Sequence, residues 1–65
     1  MIILNGREYE LDEEITVQEL IDRCRFIFPM KVVKINGKLV KKEHYNDSII
    51  KLNDKVDVIH LISGG

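Results

Sequence analysis

The apolar and polar residues of this chain form short runs typical of β-strands near both ends and one helical pattern between them. Residues 1–4 are apolar, Asn5-Gly6 follows, and polar and apolar residues alternate over residues 7–11. Asn-Gly between two such runs is a strong short-range signal for a β-hairpin, because both turn residues need positive φ. A two-residue turn pairs Ile2 with Tyr9, and this pairing directs the apolar side chains of both strands toward one core.

A helix is predicted after this hairpin. Thr16 and Glu19 have the spacing of a capping box, in which each side chain accepts a hydrogen bond from the backbone amide of the other residue. Apolar side chains then recur on one helical face, at Val17, Leu20, Ile21 and Cys24. Pro29 disfavours helical backbone at Phe28, so we expect the helix to end before it.

Short extended segments make up the rest of the chain. We expect a strand at 32–36, a turn at Asn36-Gly37, a return strand at 39–40, one helical turn within 42–47, an extended piece at 49–52, a turn at Asn53-Asp54 and a last strand at 56–61. This order favours an α+β fold in which one helix packs across a mixed sheet of four to five strands. The last strand satisfies the right-handed crossover rule when it lies parallel to the first strand, and this is the β-grasp arrangement. We expect a β-grasp domain at 1–62 and a flexible C-terminal tail at 63–65.

Composition narrows the functional classes. The 65 residues are 45% hydrophobic and 32% charged, and the net charge of -1 gives no general electrostatic case for binding nucleic acid or an anionic membrane. No apolar stretch approaches the ~20 residues that a membrane span needs. The single cysteine, Cys24, excludes an internal disulfide framework and suits a reducing compartment. We therefore expect a cytoplasmic protein that binds neither nucleic acid nor membrane.

The residues with catalytic or metal-binding chemistry form no recognisable motif. His44 and His60 lie far apart in the sequence, and one cysteine gives no zinc pattern. Cys24 lies on the apolar face of the predicted helix, where a core role is favoured over a reactive thiol. We assign no catalytic residue and no metal ligand, and we expect no bound cofactor.

The ending Ser63-Gly64-Gly65 is the strongest functional signal in the sequence. Gly has no Cβ, so a Gly-Gly segment can extend into a narrow channel and present a carboxylate to the active site of another protein. An enzyme that uses ATP could adenylate this carboxylate and make it an acyl donor. We expect Gly65 to be the site of covalent activation and Ser63 and Gly64 to form the tail that presents it.

The last predicted strand places apolar residues on both of its faces. Val56 and Val58 are expected to point into the core, so that Ile59 and Leu61 point to the outer face of the sheet. Ile3 lies on the same face if the first and last strands are neighbours, and these three side chains near the tail would then form a docking patch. A register slip of one residue would bury them instead.

Two further apolar features have less specific interpretations. Ile62, which continues the last strand toward the tail, is assigned to partner contact together with the docking patch. A second apolar cluster consists of Phe26, Ile27, Phe28 and Met30. Closing the end of the core is its default role, and the sequence leaves open whether it is core or interface.

Several segments taken together resemble the ThiS family of sulfur carriers, which have a ubiquitin-like β-grasp fold. The matching segments are Val33 to Tyr45, Asn53 to Val58 and the final Gly-Gly. They contain an Asn-Gly turn, basic residues, an aromatic residue and a tight turn before a Val-rich strand, in the order that the family shows. The resemblance covers nearly the whole chain, including its length.

This resemblance implies a carrier that is not itself an enzyme. A ThiF-type enzyme would use ATP to adenylate the Gly65 carboxylate. A sulfur donor such as a cysteine desulfurase would then convert the acyl-adenylate to a thiocarboxylate. A ThiG-like thiazole synthase would take the sulfur for the thiazole ring of thiamine.

Three alternatives stay open. Ser63 before Gly-Gly is similar to the small subunit of molybdopterin synthase, MoaD, and a ubiquitin-like modifier that attaches to lysines is a further member of the same class. A small interaction or RNA-binding module of the TGS type belongs to another class. That module gives the Gly-Gly ending no function and favours a basic surface, which the net charge of -1 does not offer.

Overall fold

The structure, a computed structural model, describes residues 1–61. In chain order the elements are β1 (Ile2–Leu4), β2 (Arg7–Tyr9), β3 (Ile15–Thr16), α1 (Val17–Cys24), β4 (Lys31–Ile35), β5 (Lys38–Val40), a 3₁₀ turn (Lys42–His44), β6 (Ile49–Ile50) and β7 (Lys55–His60). These bounds agree with the predicted segments to within one or two residues for most elements. The short strand β3 is an addition that the sequence pattern did not predict.

Five of the strands form one mixed sheet in the order β2-β1-β7-β4-β5. β7 runs parallel to β1 and antiparallel to β4, and both hairpins are antiparallel. One helix packs across this sheet, so the predicted α+β fold of the β-grasp type is confirmed. A second, two-stranded sheet pairs β3 with β6 and was not expected.

Both Asn-Gly turns have the predicted geometry. Asn5 and Gly6 have φ of 52° and 81°, and Asn36 and Gly37 have φ of 51° and 84°. The first turn sets the predicted register, because Ile2 pairs with Tyr9 across the hairpin. Asn and Gly are the residues that adopt positive φ most readily, so these turns form at little steric cost.

The helix begins with the predicted capping box and ends early. The Thr16 Oγ1 accepts from the Glu19 amide at 3.1 Å, and the Glu19 Oε1 accepts from the Thr16 amide at 2.9 Å. The bond from the Thr16 backbone also lowers the pKa of the Glu19 carboxyl. The helix ends at Cys24 because Arg25 adopts left-handed backbone, with φ of 54°. The end therefore lies well before Pro29, as predicted.

The core lies between the helix and the inner face of the main sheet. Helix residues Val17, Leu20 and Ile21 are buried, whereas Cys24 is half-buried at the edge of the core. Tyr45 closes another side of the core, and its burial raises the pKa of its hydroxyl. The remaining fully buried large side chains come from the strands: Ile2, Val33, Ile50 and Val56.

The two turn asparagines also hold β7 in place through their side chains. The Asn5 Oδ1 accepts from the Val58 amide at 2.7 Å, and the Asn5 amide donates to the Val56 carbonyl at 2.9 Å. On the other side of β7, the Asn36 Oδ1 accepts from the Lys55 amide at 2.9 Å. Each side chain therefore continues the hydrogen bonding to β7 at a point where the neighbouring strand has already turned away.

We expect replacement of Asn5 by Gly to destabilise the protein by about 1 to 2 kcal/mol, because the part-buried Val58 amide loses its acceptor. Gly tolerates the positive φ, so backbone strain does not contribute to the loss. Asn5→Asp is the matched control, since it keeps an acceptor oxygen and should stay within about 0.5 kcal/mol of the wild type. Urea unfolding of the three proteins measures both effects. Equal stability of the Gly and Asp variants would contradict a role for the side-chain acceptor.

Candidate functional site

The end of β7 is the point from which the chain runs toward its Gly-Gly ending. His60 pairs with Lys31 on β4, and the Leu61 amide donates to the Met30 carbonyl at 3.1 Å. Leu61, the last described residue, is thus held beside the start of β4. The predictions for Ile62, Ser63, Gly64 and Gly65 concern residues outside the described range 1–61 and stay predictions.

The alternation along β7 is as the sequence predicts. Val56 and Val58 are 0% and 6% exposed, whereas Ile59 and Leu61 are 44% and 41% exposed. A register slip of one residue would have reversed this pattern. The strand therefore contributes to the core with one face and presents two large aliphatic side chains with the other.

Neighbouring strands extend this exposed apolar surface. Val32 on β4 is the direct cross-strand partner of Ile59, so the two side chains lie on the same face. Leu39 on β5 pairs with Lys34, the next residue on that face of β4, and is 61% exposed. We call this surface the outer apolar patch, and it consists of Val32, Leu39, Ile59 and Leu61. The sequence alone did not indicate Val32 or Leu39 as part of it.

Ile3 shares the outer face with Ile59 and Leu61, as predicted, but it lies apart from them along the sheet. Its assignment to partner contact stays a prediction. The parallel register pairs Ile3 with Lys55, at the start of β7. Four residues separate Lys55 from Ile59, which at about 3.3 Å per residue is roughly 13 Å along the strand. Ile3 is also half-buried. Alternation predicted its face correctly, and the register that decides its distance from the tail could not be inferred from alternation.

The cluster at residues 26–30 divides into core and surface. Phe26 and Phe28 are half-buried against the core, with their ring centroids 5.8 Å apart. Ile27 and Met30 are exposed, Ile27 at 85%. The default role of closing the end of the core therefore applies to the two phenylalanines.

The Phe28 ring also stacks on His60, the last residue of β7. Their ring centroids are 4.3 Å apart and the ring planes differ by 18°. Sequence reasoning did not detect this contact, because it depends on the pairing of β4 with β7. The stack and the Leu61 hydrogen bond together hold His60 and Leu61 against the segment that leads into β4.

Other reactive side chains do not gather around the end of β7. The neighbouring Cys24 side chain raises the pKa of the Tyr9 hydroxyl. His44 lies 3.5 Å from Asp47 in an exposed pair. Within residues 1–61, no three His, Cys, Asp or Glu side chains come together as metal ligands.

No helix in this part of the chain is long and apolar enough to cross a membrane.

Two comparisons with known proteins agree with this architecture. The chain is similar to the sulfur carrier protein ThiS of Bacillus subtilis, with 24% identity over the full length of both chains. It is also similar to a protein of Trieres chinensis named uncharacterized protein ycf40, with 26% identity over 95% of this chain and 85% of the other. In fold it resembles the crystal structure of the thiamine biosynthesis protein ThiS from Geobacter metallireducens. That match has a TM-score of 0.87 and 24% identity, and it covers 98% of this chain and 97% of the other.

The sequence model of a protein family gives the more decisive result. The model described as the ThiS family matches residues 2–65. This match includes the central strand, the outer apolar patch and the Gly-Gly ending. Because it spans almost the entire sequence, the chain belongs to the ThiS family.

Proposed function

We propose that this protein is a sulfur carrier whose Gly65 carboxylate is adenylated and then converted to a thiocarboxylate. The sulfur goes to the thiazole ring of thiamine. The observation that carries the proposal is the family match, which extends through the Gly-Gly ending. The similarity to the sulfur carrier protein ThiS of Bacillus subtilis supports the same function.

The chemistry requires little of the carrier beyond its carboxylate. A free carboxylate is a poor electrophile, so a ThiF-type enzyme attaches the Gly65 oxygen to the α-phosphorus of ATP and releases pyrophosphate. The terminal sulfur of a persulfide on a sulfur donor, such as a cysteine desulfurase, then attacks the acyl carbon, and AMP leaves. A thiol reductant supplies two electrons to cleave the resulting acyl disulfide, which releases the thiocarboxylate and the donor's thiol. The carrier is the substrate of these steps, and ATP is bound and used by its partner.

The described part of the fold supports this role through the position of β7. The strand is central in the sheet and its end is fixed by the Leu61 amide, the His60 stack and the pairing with Lys31. An enzyme that binds the domain therefore meets the tail at a defined point, the end of β7. Positioning of this kind is a large part of the advantage that an enzyme gains over reaction in free solution.

The outer apolar patch is the surface that we assign to the adenylating enzyme. It begins at the residues that precede the tail, and Ile59 and Leu61 are both more than two-fifths exposed. Apolar side chains clustered on one face are typical of the centre of a protein interface. The sulfur-accepting partner, a ThiG-like thiazole synthase, must also approach from the end that bears the tail.

Deletion of Gly65 should abolish pyrophosphate exchange catalysed by the cognate adenylating enzyme. The shortened tail no longer brings a carboxylate to the reacting phosphorus when the domain is docked. Ser63→Ala is the matched control, because it alters the tail but keeps its length and its terminal Gly-Gly, and it should exchange at a rate close to that of the wild type. Thermal unfolding should be unchanged in both variants.

Intact mass spectrometry of the protein from its native host provides the independent readout. A mass gain equal to the replacement of one oxygen by sulfur, located on the C-terminal peptide, is expected. Normal exchange by the Gly65 deletion, or by a chain extended beyond Gly65 and not trimmed, would contradict the proposal.

Ile59→Asp should weaken binding to the adenylating enzyme by on the order of 2 kcal/mol, because it places a charge at the centre of the outer apolar patch. The free energy of unfolding should change by less than about 0.5 kcal/mol, since the side chain is exposed. Leu52→Asp is the matched control: Leu52 has the same 44% exposure as Ile59 but lies near Met1, away from the end of β7. Calorimetric titration and thermal unfolding measure the two effects. Equal affinities of the two variants would mean that the enzyme docks elsewhere.

A further inference from the structure

The charges of this protein are unevenly distributed along the chain. The segment 31–42, which forms the β4–β5 hairpin and the start of the 3₁₀ turn, contains five lysines and no acidic residue. The other 53 residues hold all eleven acidic residues and five basic ones. We call this segment the basic hairpin, and its lysines are Lys31, Lys34, Lys38, Lys41 and Lys42.

The fold places the basic hairpin at one edge of the main sheet, beside the strand that leads to the tail. β4 pairs with β7, and β5 is the edge strand. Lys38, Lys41 and Lys42 are exposed, whereas Lys31 and Lys34 are half-buried. Lys31 donates to the Phe28 carbonyl at 2.9 Å, and Lys34 faces Asp57 across the strands. The three exposed lysines thus carry the positive charge of this edge.

These exposed lysines form no ion pair with another residue of the described part of the chain. The ion pairs found within residues 1–61 join Arg23 to Glu13 and His44 to Asp47. The acidic loop at residues 12–14 follows β2, which is the opposite edge of the sheet. The positive charge at the β5 edge is therefore free to act on an approaching molecule.

The basic hairpin is continuous with the outer apolar patch. Leu39 belongs to both, since it lies between Lys38 and Val40 on β5 and is 61% exposed on the outer face. Val32 and Ile59 then continue the apolar surface toward the tail. Lys41 and Lys42 directly follow β5 and lie at the rim of the patch, so a protein that covers the patch must also approach them. Lys38 pairs with Ile35 and lies on the opposite face of β5 from Leu39.

Charges at the rim of an interface act mainly on the rate of association. They attract an oppositely charged surface over a distance comparable to the Debye length, which is about 8 Å at physiological ionic strength. Their effect falls as salt is added, and they also suppress association with surfaces of like charge. A rim of exposed lysines around an apolar centre is therefore suited to a partner with an acidic rim.

We propose that the basic hairpin is an electrostatic recognition surface for an acidic surface on the adenylating enzyme. The proposal rests on the proposed function, because it assumes that this enzyme covers the outer apolar patch. A different reading is that edge lysines only prevent strand-to-strand aggregation. That reading expects no salt-dependent effect of the lysines on partner association.

The test compares two double variants that remove the same charge at different places. Lys41→Gln with Lys42→Gln alters the exposed lysines beside the patch, whereas Arg7→Gln with Lys51→Gln alters exposed basic residues outside the basic hairpin. Association of each with the cognate adenylating enzyme is measured by stopped-flow at low and high salt. We expect the edge variant to associate roughly three- to tenfold more slowly at low salt and to lose most of this difference at high salt. The control should stay close to the wild type.

The outcomes separate this proposal from the proposed function. Equal association rates for the two double variants, with normal pyrophosphate exchange by the wild type, would overturn the recognition surface alone. Absence of exchange by the wild type at every salt concentration would overturn the proposed function and this proposal with it. Salt-sensitive binding of the basic hairpin to duplex RNA, with enzyme association unchanged in both variants, would assign the lysines to nucleic acid and would also overturn it.

Discussion

The pairing of β7 with both β1 and β4 is the interaction on which the rest of this structure depends. Within residues 1–61, β7 is the one strand that joins the two hairpins, because the order of the main sheet is β2-β1-β7-β4-β5. It is also the last element of the described residues, and its Val58 amide donates to the Asn5 side chain over a sequence separation of 53 residues. The sheet therefore closes only after nearly the whole chain is in place. Long-range pairing of this kind makes the fold cooperative and costs loop-closure entropy during folding.

The pairing of β7 also links the stability of the fold to the proposed function. The same strand buries Val56 and Val58 in the core and exposes Ile59 on the outer face. A partner that binds the outer apolar patch thus binds a strand that is paired on both sides within the main sheet. The point from which the chain continues toward Gly65 is held by that element, so docking of the domain and placement of the tail are mechanically linked.

Positive charge lies on only one side of the outer apolar patch. The basic hairpin lies on the side of β7 that carries β4 and β5, and the acidic loop follows β2 on the other side. A net charge of -1 conceals this separation, because the five lysines of the basic hairpin nearly offset the excess of acidic residues in the rest of the chain. Net charge affects solubility and the general attraction to polyanions. Recognition by one partner depends instead on where the charges lie on the surface.

Local sequence rules determined the elements of this protein, and the tertiary structure decided how distant elements meet. The Asn-Gly turns, the Thr16 capping box and the alternation along β7 were all predictable, because each depends on residues a few positions apart. The distance of Ile3 from Ile59, the β3–β6 sheet and the stack of Phe28 on His60 were not. Each of these depends on the register between strands far apart in the chain. That register follows from packing of the whole core, which alternation within one strand does not specify.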